Sequence, residues 1–240
     1  MFFLKRKPKL RKRNCGIKMK LVPYGGGWAD VYLDICGGHH YFIISCVMGA
    51  AFESLLAILY HMYPHQGDPE SADHFVDCKI GICEKSPSGS KVVRITDCLE
   101  DLPPGTVYTD IPWKGSFTWD EEGAESRWTL ERTADESTDF NLKIHIEHEH
   151  EEIRIFDYEV SYKDLCYAVA KAYTDVLKEY GIYGYHHSVY TQDLHIRYLL
   201  FLKAVALDCF DARKLTYYNE KGHGETTDLN QELALLLFDM

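Results

Sequence analysis

Residues 140–160, FNLKIHIEHEHEEIRIFDYEV, alternate apolar and polar side chains on both sides of a short acidic centre. In the first half, Ile144 and Ile146 fall on one side of a strand, because successive strand residues point to opposite faces. In the second half, Ile153 and Ile155 repeat this spacing. The stretch therefore predicts a β-hairpin, which is the repeating unit of an antiparallel sheet.

The apolar residues of this hairpin also predict its register. Pairing Ile146 with Ile153 places Ile144 opposite Ile155, so both pairs lie on one face. Residues 148–151 are then left as a four-residue loop. After this pairing the apolar phase of the second strand shifts by one residue, which predicts a bulge.

The same two-residue period continues through much of the chain and is interrupted by longer apolar stripes with a helical period. Predicted strands cover residues 30–36, 39–47, 74–84, 91–98, 116–120, 126–132, 140–147 and 152–158, with a turn at Gly37-Gly38. Predicted helices cover residues 50–63, 161–181, 192–207 and 229–238. The sequence thus predicts an α+β fold, in which antiparallel hairpins and sheet pack against helices, arranged as two similar β-rich halves each followed by a helix.

The charge of the 240-residue chain is unevenly distributed. The formal net charge is −11, but residues 1–20 carry nine Lys or Arg and no acid, which leaves 17 basic against 37 acidic groups in residues 21–240. A block of like charges without apolar periodicity predicts a disordered basic tail at residues 1–18. The rest, 19–240, is predicted to be a single domain with an internal boundary near residues 99–105, where LEDLPPG is typical of a loop.

Composition also excludes several functions. A net charge of about −20 on residues 21–240 repels phosphate, so specific nucleic-acid binding is not expected. No apolar run is long enough to span a membrane, and no membrane association is expected. The eight cysteines are scattered without a CxxC pair, which favours buried free thiols in a reducing cytoplasm. No cofactor-binding motif occurs, and Gly25-Gly26-Gly27 precedes a strand rather than the helix that a phosphate site needs.

An acidic turn in residues 117–128 is a candidate surface for a basic protein partner. Aromatic side chains beside carboxylates suit such a partner, because charge steers the encounter and the ring supplies contact area. The candidate residues are Trp119, Asp120, Glu121, Glu122, Glu125 and Trp128. The alternative is a solvated hairpin turn whose tryptophans point into the core.

A second candidate is the segment GIYGYHHSVYTQDLH, residues 181–195, between two predicted helices. Histidine, tyrosine and aspartate together can perform acid–base chemistry in a pocket. The candidate residues are Tyr183, Tyr185, His186, His187, Tyr190, Asp193 and His195. The alternative is a helix junction in which the rings pack and the histidines satisfy local carbonyl groups.

The His148-x-His150 pair is a candidate metal site, because alternate strand residues share a face and imidazole suits zinc or nickel. A site needs a third ligand, and neither HExxH nor another ligand motif is present. The sequence therefore predicts no metal unless a third ligand exists.

Three functional hypotheses follow. The first is a non-enzymatic protein that binds a basic protein partner, as bacterial immunity proteins of similar charge and size do; this analogy rests on charge and size alone. The second is a hydrolase-type enzyme that uses the segment at 183–195. The third is a regulatory or assembly protein that forms a homodimer through its C-terminal helix, for which exposed apolar residues at 235–238 would be the sign.

Overall fold

The computed structural model describes residues 16–45, 51–63, 77–86, 89–96, 108–121, 123–133, 139–149, 152–188, 194–208 and 229–240. Of residues 52, 77–86, 89–96, 108–113, 187 and 188 it describes the backbone alone. Two antiparallel sheets and four helices make up these residues, so the predicted α+β class is confirmed. Each sheet is followed along the chain by a helix.

The first sheet, sheet A, contains three strands in chain order. They are β1 (Lys18–Gly25), β2 (Trp28–Ile35) and β3 (Gly38–Ser45). The β2–β3 turn is formed by Cys36 and Gly37, one residue before the predicted Gly37-Gly38, because Ile35 pairs directly with Gly38. Cys36 and Gly37 both have positive φ angles, of 49° and 83°, as a type I′ turn requires.

The second sheet, sheet B, contains six strands in the order β5-β4-β6-β7-β8-β9, all antiparallel. The strands are β4 (Asp77–Ser86), β5 (Gly89–Thr96), β6 (Tyr108–Asp120), β7 (Glu125–Arg132), β8 (Asn141–Glu149) and β9 (Ile153–Ser161). The candidate boundary at 99–105 lies outside the described residues, and the strands on either side of it, β4 and β6, pair in this sheet.

The predicted hairpin of residues 140–160 forms, but its register differs from the predicted one. Ile146 pairs with Phe156, and Ile144 pairs with Tyr158, which is a shift of three residues along the second strand. Ile153 and Ile155 consequently lie on the outer face, 65% and 59% exposed. The predicted pairing of isoleucines was wrong, and no bulge interrupts the observed register.

Four helices accompany the sheets: α1 (Ala51–His61), α2 (Tyr162–Ser188), α3 (Ile196–Leu207) and α4 (Leu229–Leu236). Ser161 caps the start of α2, since the Asp164 N–H donates to Ser161 Oγ at 3.4 Å. Gly181, the predicted end of this helix, instead forms a kink with a φ of 69°, and a further helical segment follows it.

An aromatic cluster joins sheet A to sheet B. Phe42 of β3 contacts Trp119 of β6 and Trp128 of β7, with ring centroids 5.6 and 5.7 Å away, and the two indoles lie 4.8 Å apart. Trp119 Nε1–H donates to the Ala51 carbonyl at 2.9 Å, which connects the cluster to the start of α1. The core therefore lies between the inner faces of the two sheets and extends beneath the helices.

Two buried cations satisfy carbonyl groups at helix ends. Arg132 donates to the Met62 carbonyl, one residue after α1, at 2.8 Å. Lys203 of α3 donates to the carbonyls of Leu236 and Phe238, at the end of α4, at 3.1 and 3.0 Å. A positive charge at this position interacts favourably with the helix dipole and satisfies carbonyls that have no partner within the helix.

Residues 16–18 of the predicted basic tail lie within the described part of the chain. Ile17 is buried, and Lys18 begins β1 opposite Asp34. Residues 1–15 of the predicted tail lie outside the described residues. β1 itself was not predicted, because its lysines and Pro23 obscure the apolar alternation.

We expect Gly38→Ala to destabilise the fold, because a Cβ at this position would lie 2.5 Å from the Tyr158 hydroxyl and 2.9 Å from His40 Nε2. These two groups form a contact of 2.5 Å between the sheets. Overpacking of this kind costs about 1–3 kcal/mol. Gly16→Ala is the control, since a Cβ there meets no atom within 4 Å. Urea denaturation of both variants measures the difference, and equal stabilities would contradict this account of the sheet contact.

Candidate functional site

The two tryptophans of the candidate acidic turn lie in the core. Trp119 and Trp128 are each 1% exposed and pack against Phe42. They occupy the inward-facing positions of β6 and β7, where apolar residues alternate with polar ones. The hypothesis that these two rings belong to an exposed partner surface is therefore wrong.

The carboxylates of the same turn lie in different environments. Asp120 and Glu125 pair across β6 and β7, and Glu125 also pairs with Glu149 of β8, so three acids form a row on the outer face of sheet B. Like charges directly opposite one another are destabilising. Glu121 is turned inward and accepts a hydrogen bond from Ser126 Oγ at 2.5 Å. Glu122 lies outside the described residues.

The candidate metal pair is only partly visible. His148 Nε2 lies 3.3 Å from Glu121, and its ring contacts Phe42. His150 lies outside the described residues. Within the described part of the chain, no three His, Cys, Asp or Glu side chains converge in a way that could hold a metal ion.

The segment at 181–195 brings together only some of its candidate residues. Tyr183 is 77% exposed, whereas Tyr185 is fully buried. His186 is partly buried. The side chain of His187 and the whole of Tyr190 and Asp193 lie outside what the structure describes.

Tyr185 and His195 of this segment meet at a carboxylate that the sequence analysis did not single out. Glu53, in the first turn of α1, is 2% exposed. Its Oε1 accepts a hydrogen bond from the Tyr185 hydroxyl at 3.3 Å, and its Oε2 accepts one from the His195 backbone N–H at 3.2 Å. Glu53 thus connects α1, the end of α2 and the start of α3. The available signal was an acid within an otherwise apolar helical stripe.

The same arrangement has one feature of an acid–base pair. His195 Nδ1 is buried and faces Glu53 Oε2 at 3.7 Å, while its side chain is 39% exposed. A carboxylate that faces one imidazole nitrogen can orient the ring so that the other nitrogen accepts a proton. The hydrolase-type function stays a prediction.

The C-terminal helix exposes a part of its apolar surface. Leu229, Leu233 and Leu237 are 64%, 44% and 78% exposed, whereas Leu235 is 2% exposed and packs into the core. The expected patch at 235–238 is therefore divided between core and solvent. Association of two chains through this helix stays a prediction. None of the helices in the described residues combines the length and the apolar character that crossing a membrane requires.

The outer face of sheet A carries an aromatic surface that the sequence analysis also missed. Tyr24, Tyr32 and Tyr41 are 56%, 44% and 47% exposed, and the Tyr32 and Tyr41 rings lie 5.2 Å apart. We call this surface the tyrosine face; its residues are Val22, Tyr24, Trp28, Asp30, Tyr32, Tyr41 and Ile43. Its signal in the sequence was the aromatic and acidic half of the β2 alternation, opposite the buried Val31, Leu33 and Ile35.

Asp30 lies at the centre of the tyrosine face. It pairs across the sheet with Val22 on one side and Ile43 on the other. Its Oδ1 accepts a hydrogen bond from the Tyr41 hydroxyl at 2.9 Å, and its Oδ2 accepts one from the Tyr32 hydroxyl at 3.4 Å. The two hydroxyl groups therefore hold both rings in fixed positions around a single carboxylate.

The three tyrosines of this face have raised pKa values, through burial and through the charge of Asp30. Partial burial, together with the hydrogen bond and the charge of Asp30, raises the pKa of Tyr41 to about 12. Burial and the same carboxylate raise the pKa of Tyr24 and of Tyr32. All three hydroxyl groups consequently remain protonated donors at neutral pH.

Polar residues surround the aromatic centre of this face. Lys18 and Lys20 of β1 lie along one side and are exposed. Asp34 and His39 lie at the end of the β2–β3 hairpin, with Asp34 Oδ1 and His39 Nδ1 2.6 Å apart. The surface thus has an aromatic centre and a charged rim, which is the composition typical of a protein–protein interface.

We expect Glu53→Gln to lower the free energy of unfolding by about 1–3 kcal/mol, because the amide replaces one of two buried acceptor oxygens with a donor group. Glu152→Gln is the control, since Glu152 is exposed at the β8–β9 turn and a surface change of this kind is worth about 0.5 kcal/mol or less. Urea denaturation compares the two variants. Wild-type stability of Glu53→Gln would show that this carboxylate does not hold the three helices together.

We expect Tyr41 to ionise at a pH of about 12 rather than at its ordinary value of 10.0. Because the pKa is raised in the folded state, the stabilisation from protonated Tyr41 is complete below pH 10 and is lost as the pH rises through 12. Asp30→Asn should lower this pKa part of the way, since burial remains; Asp34→Asn is the control. Ultraviolet absorbance titration, with Tyr41→Phe subtracted, measures it, and an unchanged pKa in Asp30→Asn would contradict the role of Asp30.

Comparison of the chain with protein-family models, with curated proteins and with solved structures finds no match. The function of the protein therefore has to be argued from the chemistry of its own surfaces.

Proposed function

We propose that the protein is a non-enzymatic binding protein for a basic protein partner, and that the tyrosine face is its contact surface. One observation carries this proposal: three half-exposed tyrosines surround the carboxylate of Asp30 on an open sheet face. On most protein surfaces exposed apolar side chains occur singly and scattered. A group of exposed aromatic residues is therefore typical of an interaction surface.

The composition of the tyrosine face suits protein recognition. Tyrosine contributes a large contact area and loses little conformational freedom on binding, since its side chain has only two rotatable bonds. The hydrogen bonds from Tyr32 and Tyr41 to Asp30 reduce that loss further, because the rings are already ordered. This pre-organisation supports a stable contact with a partner.

The charge of the chain supports a basic partner. The whole chain carries 37 acidic and 26 basic groups, a formal net charge of −11, and the resulting field attracts positive charge. The row formed by Asp120, Glu125 and Glu149 contributes to this field from the outer face of sheet B. Arg127 neutralises it only in part, through an ion pair with Glu125 at 2.8 Å.

The carboxylates of sheet B and the tyrosine face have different roles in this proposal. The carboxylates of sheet B steer the partner from a distance, because exposed charges act mainly on the rate of encounter. The tyrosine face makes the lasting contact, because it combines a desolvated aromatic centre with an acid. Bacterial immunity proteins, compared by charge and size alone, are one class that acts by masking a basic protein in this way.

The test requires the natural partner, obtained by affinity capture from cells that express the protein and identified by mass spectrometry. We expect Tyr32→Ala and Tyr41→Ala each to weaken binding about 30-fold or more, the effect of losing a residue that contributes at least about 2 kcal/mol. Tyr183→Ala is the control, because Tyr183 is an exposed tyrosine, at 77%, on a different surface. Stopped-flow measurement of the association and dissociation rates at several salt concentrations completes the test.

The association and dissociation rates distinguish the role of the sheet B carboxylates from that of the tyrosine face. Replacement of Asp120, Glu125 and Glu149 by lysine should slow association, most strongly at low salt, and leave dissociation nearly unchanged. The tyrosine variants should accelerate dissociation instead. If the triple-lysine variant loses binding while the tyrosine variants bind as the wild type does, the contact surface is sheet B and the proposal is wrong. A captured partner whose binding does not depend on salt would overturn the proposed basic chemistry.

A further inference from the structure

Among the polar side chains of the described residues, Asp30 contacts only tyrosine hydroxyl groups. Asp34 lies 2.6 Å from His39 Nδ1 at the edge of the face. Asp30 accepts hydrogen bonds only from the tyrosine hydroxyl groups of residues 32 and 41, and no Lys, Arg or His within the described ranges forms an ion pair with it. A carboxylate held between aromatic rings without a counter-ion is a position that a cation can fill.

The hydrogen bonds of Asp30 leave acceptor capacity on both of its oxygen atoms. An ionised carboxylate has about four lone-pair positions, two on each oxygen. Tyr41 uses one position on Oδ1, and Tyr32 uses one on Oδ2. One acceptor position therefore remains on each oxygen, which is the arrangement that a two-pronged donor requires.

We propose that Asp30, Tyr32 and Tyr41 form a receptor for the guanidinium group of an arginine on the partner. This inference rests on the proposed function, since it names the side chain that the tyrosine face recognises. Two parallel N–H donors of the guanidinium bind the two oxygens of Asp30. The planar group lies against the tyrosine rings, as guanidinium groups commonly do against aromatic faces.

Arginine fits this receptor better than lysine for two reasons. An ammonium group is a point charge that cannot bind both carboxylate oxygens in a planar, two-pronged manner, whereas a guanidinium can. A guanidinium is also more weakly hydrated, so placing it against aromatic rings costs less desolvation free energy. The receptor therefore distinguishes between two side chains that have the same charge.

The geometry of the receptor is supported from several directions. The Tyr32 and Tyr41 rings contact each other at 5.2 Å with an interplanar angle of 41°. Val22 and Ile43 flank Asp30 in the cross-strand register. An ion pair beside apolar side chains is stronger than one surrounded by water.

The test uses three small probes in nuclear magnetic resonance titrations of the full chain: N-acetyl-arginine amide, N-acetyl-lysine amide and N-acetyl-citrulline amide. Citrulline has nearly the shape of arginine but no charge. We expect arginine to shift the Tyr32 and Tyr41 resonances with a Kd at least about fivefold lower than that of lysine, or about 1 kcal/mol. Citrulline should bind no better than lysine, because it lacks the positive charge that Asp30 attracts.

Two substitutions test the role of the carboxylate. Asp30→Asn should abolish the preference for arginine, whereas Asp34→Asn, on the same strand and face, should retain it. Tyr41→Phe keeps the ring but removes one hydroxyl, and should weaken arginine binding less than Asp30→Asn does. Equal binding of arginine and lysine, or a preference that survives in Asp30→Asn, would overturn the inference. Circular dichroism of each variant verifies that the sheet is intact.

The outcome is separable from that of the proposed function. If Tyr32→Ala weakens the captured partner but the probes show no preference for arginine, the function stands and the receptor is wrong. If the probes prefer arginine but the tyrosine variants bind the partner as the wild type does, the receptor exists and the proposed contact surface is wrong.

Discussion

The contact of Phe42 with Trp119 and Trp128 is the constraint on which the rest of the structure depends. These three rings belong to two different sheets, and the Trp119 indole also donates to the first residue of α1. Aromatic side chains bury large areas, so this cluster fixes how the two sheets face one another. Once the indoles point inward, strand alternation directs their neighbours Asp120 and Arg127 outward.

The alternation also determines which surfaces remain available for binding. On sheet B the outward positions are mainly charged, and Asp120, Glu125 and Glu149 form a row there. On sheet A the outward positions of β2 carry Trp28, Asp30, Tyr32 and Asp34 between buried aliphatic residues. The protein therefore presents a charged surface on one sheet and an aromatic surface on the other. Charges influence the association rate over a distance, whereas aromatic side chains contribute only once the two proteins are in contact.

Much of the fold could be predicted from local patterns, because the two-residue and helical periods are strong signals. The register of β8 and β9 could not. The second strand offers two apolar phases, one through Ile153 and Ile155 and the other through Phe156 and Tyr158. The second phase faces the core, because His40 of sheet A packs against Phe156 and Tyr158. A contact with residues more than a hundred positions away decides between phases that look equal locally.

The candidate site illustrates the same limit. Aromatic rings beside carboxylates suit a basic partner, and Trp119 and Trp128 were predicted to form such a surface. Both rings occupy inward-facing positions of their strands. The same chemistry is present on β2 in the outward phase, where Val31 and Leu33 mark the opposite face as buried. The criterion that distinguishes the two places is which face of its strand each aromatic residue occupies. Glu53 could not be found in this way, because its partner His195 is 142 residues distant.

Contacts between residues that are far apart in the sequence also affect how the chain folds during its synthesis. His40 and Tyr158 are separated by 118 residues, and the Pro23 carbonyl and the Tyr180 hydroxyl by 157. Sheet A is synthesised before sheet B, yet its apolar inner face is not fully covered until β6, β7 and α2 have followed. Contacts between residues this far apart in the sequence also form slowly. During translation the nascent chain thus exposes an unfinished sheet for a long interval, and chaperones that shield apolar strands have their greatest effect there.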